Sequence, residues 1–301
     1  MYDILIFGAG TAGLTAAIYG VRAGRSVAVL EESVYGGQII NTLEIENYPG
    51  IKKVSGVDYA TGLFEQATAL GAQVLFDAPV SVEKGKVFTV TTKRGKTLEA
   101  KSLILAVGAK NRPLGVDGEE KFTGRGISYC ATCDGAFFKG KDVAVVGGGN
   151  TAIDDALFLT DYCNKVYLIH RRQGFRAEEA KLALLKEKTN LEFLLDCVVD
   201  TVEGDEKLSG ATVVNKVTGE AKKIDVDGLF VAVGQVPATA IAKDLVALDE
   251  YGYIIAGEDC KTSTEGIFAA GDCRTKQIRQ LVTAAADGAV AALAACEHIR
   301  K

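Results

Sequence analysis

A short β-rich run, a glycine turn and an alanine-rich helix follow one another directly near the N-terminus, and the same unit returns in mid-chain. That repetition limits the possible folds more than any other feature of the sequence. In the first copy Asp3-Ile4-Leu5-Ile6-Phe7 leads into Gly8-x-Gly10-x-x-Gly13, with a helix from Thr11 to about Ala23. The spacing gives the three glycines different roles. Gly8 permits the tight turn, Gly10 lets a pyrophosphate approach bare backbone, and Gly13 lets helix and strand pack closely. The helix N-terminus then faces the phosphates. In the second copy Asp142-Val143-Ala144-Val145-Val146 precedes Gly147-Gly148-Gly149-Asn150-Thr151-Ala152. Two such copies predict an α/β protein built from two Rossmann-like, three-layer dinucleotide-binding domains.

The copies differ where the ribose of a nucleotide is read. In the first, the second strand Val27-Ala28-Val29-Leu30 ends in Glu31. An acid at that strand end suits a free ribose diol and repels a 2′-phosphate. In the second, the strand Lys165-Val166-Tyr167-Leu168-Ile169 ends in His170-Arg171-Arg172, with Arg176 four residues further. Guanidinium groups grip a phosphate through a planar fork of donors. The first site therefore suits FAD or NAD, and the second NADP(H). The plain alternatives are a solvated surface acid at Glu31 and a solvated basic helix face at the arginines.

Around these units the pattern is that of a packed α/β chain. Gly36-Gly37-Gln38 and Asn47-Tyr48-Pro49-Gly50 read as loops, placed where Gln38 and Asn47 could hydrogen-bond a covered cofactor. Residues 57–70 predict an amphipathic helix stopped by Gly71. Short alternating runs over 72–100, and again over 191–226, predict an antiparallel meander in each domain. Apolar runs at 103–109, 227–234 and 266–272 predict buried strands of a parallel sheet. Residues 113–126 and 238–249 read as linkers, and a long alanine-rich helix is expected over about 280–298.

Ahead of the second glycine loop lies Cys130-Ala131-Thr132-Cys133-Asp134-Gly135. Two cysteines separated by two residues can close a small, readily reduced disulfide and act as a redox switch. Half of a zinc site is the alternative, but structural zinc takes four ligands. The other cysteines, Cys163, Cys197, Cys260, Cys273 and Cys296, are scattered, and the only histidines are His170 and His298. No metal is expected. The formal net charge of −5 offers no general basic field for nucleic acid. Met1 runs straight into the first strand, and no run of about 18 uncharged apolar residues predicts a membrane span. A reducing cytoplasm is the expected compartment.

Taken together, GAGTAG at 8–13, GGQ at 36–38, ENYPG at 46–50, CATCDG at 130–135, GGGNTA at 147–152, HRRQGFRA at 170–177, FAAGDC at 268–273 and the later RQLVTAAADGA resemble the low-molecular-weight, bacterial-type thioredoxin reductases nearly end to end. The resemblance implies an FAD-binding domain formed by 1–112 and 246–301, with an NADPH-binding domain, 113–245, inserted into it and carrying the cysteine pair. It implies flavin contacts at Gly8, Gly10, Gly13, Glu31, Gly37, Gln38, Asn47, Asp272, Arg279, Gln280 and Leu281. NADPH contacts map onto Gly147, Gly149, Asn150, Thr151, Arg171, Arg172 and Arg176. It also implies a homodimer. Gln173, Val107 and Asp117 depart from residues common in the family at those places.

The activity so implied passes electrons from NADPH through FAD to the Cys130–Cys133 disulfide, and from the resulting dithiol to the disulfide of thioredoxin. Asp134 is the candidate proton donor and acceptor, with a turn residue before Gly135 as its plain alternative. The resemblance favours Cys133 as the sulfur nearest the flavin. One domain holds both the NADPH site and the cysteine pair, so that domain is expected to rotate about the linkers between half-reactions. The alternatives are a related flavoprotein using another donor or acceptor, ferredoxin among them, and a flavin redox sensor that does not turn over.

Overall fold

The structure is a computed structural model and describes residues 1–300. The chain forms two compact units, one of Met1–Lys110 with Val236–Lys301 and one of Asn111–Gln235. The first begins with β1 (Tyr2–Phe7), α1 (Thr11–Arg22), β2 (Val27–Glu31), α2 (Gly56–Ala69), β3 (Gln73–Phe76), β4 (Pro79–Lys84), β5 (Phe88–Thr92) and β6 (Thr97–Leu105). Strand β7 (Ala109–Asn111) leads into the second unit. There follow α3 (Glu119–Phe122), β8 (Ile127–Ser128), α4 (Ala131–Asp134), β9 (Asp142–Val146), α5 (Asn150–Thr160), β10 (Lys165–His170), α6 (Glu179–Lys186) and β11 (Leu191–Leu195). A meander of β12 (Cys197–Gly204), β13 (Leu208–Asn215) and β14 (Ala221–Asp225) precedes β15 (Gly228–Val231). Strand β16 (Gln235–Pro237) carries the chain back to β17 (Ile267–Ala269) and α7 (Leu281–Arg300).

The apolar runs become parallel strands because both faces of each sheet are covered. Ile4, Leu5, Ile6 and Phe7 of β1 are all fully buried. The first unit's sheet runs β3-β2-β1-β6-β5-β4, with β17 also on β6. The length of β6 lets it serve two neighbours along one edge. Its start pairs antiparallel with β5, from Phe88 opposite Ala100 to Thr91 opposite Thr97, and its end pairs parallel with β17. The second unit's parallel sheet has the order β11-β10-β9-β15-β8, and its meander is a separate three-stranded sheet.

Two segments expected in the meanders lie elsewhere. Strand β3 pairs parallel with β2, Val74 opposite Val29, and β11 pairs parallel with β10, Leu191 opposite Val166. Both are outer strands of the parallel sheets. Neither is fully buried: β3 is exposed at Gln73 and Phe76, and every residue of β11 is half-buried, so neither reads as a continuous buried run of a parallel sheet.

The stretches expected as linkers are largely built into the units. Phe122 is 2% exposed, and Leu114 and Val116 pack on the same core. The buried Glu119 carboxylate accepts the N–H groups of Leu114 and Gly115, each at 2.8 Å, and the Tyr129 hydroxyl at 2.6 Å. Ala242 and Val246 pack with Leu5 and Phe7 in the first unit. The crossings themselves are β7 and β16, which pair with each other.

Helix α7 is long and apolar enough, by length and composition, to cross a membrane. Its buried side is a core face: Ala291, Ala292 and Ala295 are fully buried in the cluster that contains Ala12, Ala16 and Ala17 of α1. The helices touch through small residues. A Cβ on Gly288 would lie 2.2 Å from the Ala12 carbonyl oxygen.

Candidate active site

Cys130 and Cys133 are joined as a disulfide, with S–S 2.06 Å and Cα–Cα 5.3 Å. Cys130 sits at the head of α4, where its carbonyl accepts the N–H groups of Cys133 at 3.2 Å and Asp134 at 3.1 Å. Ser128 organises this turn, and no sequence motif singles it out. Its hydroxyl donates to Asp134 Oδ2 at 2.6 Å and accepts the Cys130 N–H at 3.0 Å. Burial pushes the Asp134 carboxyl above its ordinary range, against the opposing Ser128 hydrogen bond. Gly135 allows this short helix to seat on the one that follows the second glycine loop. A Cβ there would lie 2.9 Å from the Tyr162 hydroxyl and 3.0 Å from Leu159 Cδ2.

In the first unit the glycine loop closes as its spacing requires. Gly8 has φ +102°, and a Cβ on it would lie 2.4 Å from the Ala106 carbonyl oxygen. A Cβ on Gly13 would lie 1.8 Å from the Gly8 carbonyl oxygen. Gly10 is different: its bare face meets only Gly36 and Gly37, at 3.9–4.0 Å. The Gly36 N–H donates to the Ala9 carbonyl at 2.8 Å, so the two loops stand side by side. Glu31 Oε2 accepts the Ala9 N–H at 2.9 Å, which fixes that carboxylate against the glycine loop. Gln38 donates its side-chain N–H to the Ala109 carbonyl. Asn47 Nδ2 donates to Gln280 Oε1 at 3.4 Å, just ahead of Leu281 at the start of α7.

Asp272 lies in the turn after β17. Its Oδ1 is buried and has no hydrogen-bond partner. Burial raises its pKa, opposed by the charges of Lys276 and Arg279. Arg279 donates to the carbonyls of Asp272 and Arg274, both at 3.4 Å, and its guanidinium lies 4.2 Å from the centre of the Tyr253 ring.

In the second unit, Gly147 and Gly148 are required for close approach and Gly149 is open. A Cβ on Gly147 would lie 2.4 Å from the Ala232 carbonyl oxygen, and one on Gly148 would strike the His170 ring at 2.0 Å. The segment after β10 folds back on this loop. Arg176 N–H donates to the Gly148 carbonyl at 2.8 Å, and Asn150 Oδ1 accepts the Glu178 N–H at 2.9 Å. His170 stacks on Phe175, with ring centres 5.0 Å apart. Arg171, Arg172 and Arg176 are exposed beside a loop whose backbone is bare at Gly149, as is Thr151 on the first turn of α5. No described carboxylate forms a salt bridge with any of these three arginines.

A family model described as pyridine nucleotide-disulphide oxidoreductase matches residues 2–288, which sets the class. Among curated relatives, the thioredoxin reductase of Listeria monocytogenes is 41% identical, covering 100% of this chain and 95% of that protein. That of Bacillus subtilis is 39% identical, covering 100% and 96%. The crystal structure of thioredoxin reductase from Streptococcus pyogenes, 41% identical, superposes with a TM-score of 0.95 over 100% of this chain and 98% of that one. The chain belongs to the pyridine nucleotide-disulphide oxidoreductases, and within them to the thioredoxin reductase family.

Proposed function

We propose that this oxidoreductase reduces the disulfide of thioredoxin with electrons from NADPH, passed through FAD and the Cys130–Cys133 pair. The observation that carries the reading is the half-buried Cys130–Cys133 disulfide, held beside Asp134 by one serine hydroxyl. A flavin nucleotide fits the first unit. Gly10 is bare, Glu31 is fixed at the ribose-reading strand end, and Asp272 Oδ1 is a buried acceptor without a partner. NADPH fits the second through the exposed arginines beside its glycine loop.

Bound FAD supplies the exchange of two electrons between a nicotinamide and a disulfide. The protein's residues do the rest. Arg171, Arg172 and Arg176 select the 2′-phosphate, while Glu31 rejects one at the flavin site. Opening the disulfide consumes two electrons and two protons and yields the Cys130 and Cys133 thiols. Asp134, whose raised pKa keeps a proton available closer to neutrality, hands protons to and from this pair. Cys133 would be the sulfur that exchanges electrons with bound flavin, as the family resemblance implies. The dithiol reduces thioredoxin by attack of one thiolate on its disulfide, and the second cysteine releases the mixed disulfide. The unit of residues 111–235 carries both the nucleotide site and the cysteines, so it turns about β7 and β16 between half-reactions. The protein acts as a cytoplasmic homodimer.

The test is thioredoxin reduction by the purified protein with NADPH and with NADH. Reduction driven strongly by NADPH, poorly by NADH, and not at all by Cys130→Ser or Cys133→Ser agrees with the proposal. Absence of thioredoxin reduction with either nucleotide overturns it.

A further inference from the structure

Four described donor atoms converge on one buried carboxylate of α7, that of Asp287 in the RQLVTAAADGA run. Asp287 is 6% exposed. Its Oδ2 accepts the backbone N–H of Gly271, the Arg274 Nε–H and the Lys276 ammonium, each at 2.9 Å. Its Oδ1 accepts Arg274 Nη2 at 2.7 Å. Arg274 is 4% exposed and donates from Nη1 to the carbonyls of Ala256 and Thr275, at 3.3 and 3.1 Å. Burial would raise the Asp287 pKa, but the hydrogen bonds of Arg274 and Lys276 outweigh it and hold the group below the ordinary carboxylate range. It therefore carries a full negative charge near neutral pH. With Arg274 and Lys276 it forms a buried triplet of net charge +1.

This triplet clamps one turn. Gly271 has φ +79°, and a Cβ on it would lie 2.9 Å from Ala12 Cβ, so its backbone is wedged against α1. Asp287 holds its N–H from the other side. The next residue is Asp272, with its buried, partnerless Oδ1.

We infer that Asp287 is the positioning residue of the flavin site: it fixes the Gly271–Asp272 turn and holds the Arg274 and Lys276 cations beneath it. This rests on the flavin reading above. A neutral amide at 287 cannot satisfy both faces of the Arg274 fork, since its nitrogen would meet a donor. It also leaves two buried cations without a counter-charge. The turn loosens, and the local charge rises by one unit.

The experiment compares the wild type, Asp287→Asn and Lys276→Gln in three measurements: thermal unfolding of the apoprotein, FAD affinity on reconstitution, and the midpoint potential of the bound flavin. In folded Asp287→Asn the expected results are FAD binding at least tenfold weaker and a potential shifted positive. Lys276→Gln removes a cation and leaves the Gly271 bond, so its potential moves the other way with a smaller loss of affinity. A purely structural role would lower apoprotein stability and leave the potential unchanged. Folded Asp287→Asn with unchanged affinity and potential overturns the inference. If that variant does not fold, Lys276→Gln decides: an unchanged potential overturns it, and a negative shift supports it. A wild-type protein that binds no FAD defeats the flavin reading itself, a result distinct from all of these.

Discussion

At the scale of single residues, the proposed redox chemistry turns on a carboxyl group whose ionisation is resisted by its surroundings. The folded protein holds Asp134 above the unfolded-chain value of about 3.9. Below that value the carboxyl is protonated in both states and contributes no difference. As pH rises from there through the folded pKa, the unfolded chain ionises first, so stability falls. Asp134→Asn is expected to be more stable than wild type at pH 7, with the gap closing below about pH 4; denaturant titrations across that range measure it. The same variant should slow dithiol turnover by roughly 10²-fold or more, as loss of a positioned acid–base group does. Ser128→Ala should share part of that defect, because it loses the bonds to both Asp134 and Cys130. The sequence announces the cysteines by their spacing, and Asp134 by its place beside them and by the family resemblance. It is silent on Ser128, and although Asp287 falls in the RQLVTAAADGA run, its contacts are not readable there. Asp287 acquires its role only when α7 is packed sixteen residues of chain beyond Gly271.

Among the elements, glycine loops and helix crossings follow a single rule of close approach. Gly8, Gly13 and Gly147 are legible because each motif position states how near another backbone must come. Gly288, in the RQLVTAAADGA run, follows the same physics, but as one small residue in an alanine-rich helix its close contact is not stated by any spacing. The expected result for Gly288→Ala is a loss of about 1–3 kcal/mol in urea unfolding, since the added methyl would lie 2.2 Å from the Ala12 carbonyl and α7 must shift. An unchanged midpoint would show that the α1–α7 contact is looser than described. Strands β3 and β11 mark where pattern reading stops. Both are only partly buried, and only pairing tells an outer parallel strand from a meander strand. The linker expectations meet a similar limit. Glycine and charge suggest a free segment at 113–126, whereas Glu119, inside it, is buried and caps the backbone.

The whole molecule is one α/β design used twice, and the two copies differ at the strand end that follows the glycine loop, Glu31 in one and His170-Arg171-Arg172 in the other. The fold class is readable from the sequence because that unit is local: strand, turn and helix lie within about thirty residues. Removing the charges of Arg171, Arg172 and Arg176 together should raise KM for NADPH by roughly tenfold or more while leaving kcat with saturating NADPH and the NADH reaction nearly unchanged. Steady-state kinetics with both nucleotides measure this, and an equal loss with NADH would show that the arginines do not read the 2′-phosphate. A covalent cross-link between the two units should stop multiple turnover yet spare one half-reaction; full turnover in the cross-linked protein would contradict the proposed rotation.

The most direct test of the electron path is an anaerobic titration of the purified protein, following flavin absorbance. NADPH should bleach the flavin, with NADH much weaker, and oxidised thioredoxin should restore the colour in wild type but not in Cys130→Ser. Failure of NADPH to bleach the flavin, or recovery by thioredoxin without the cysteine pair, would contradict the path from nucleotide through flavin and disulfide.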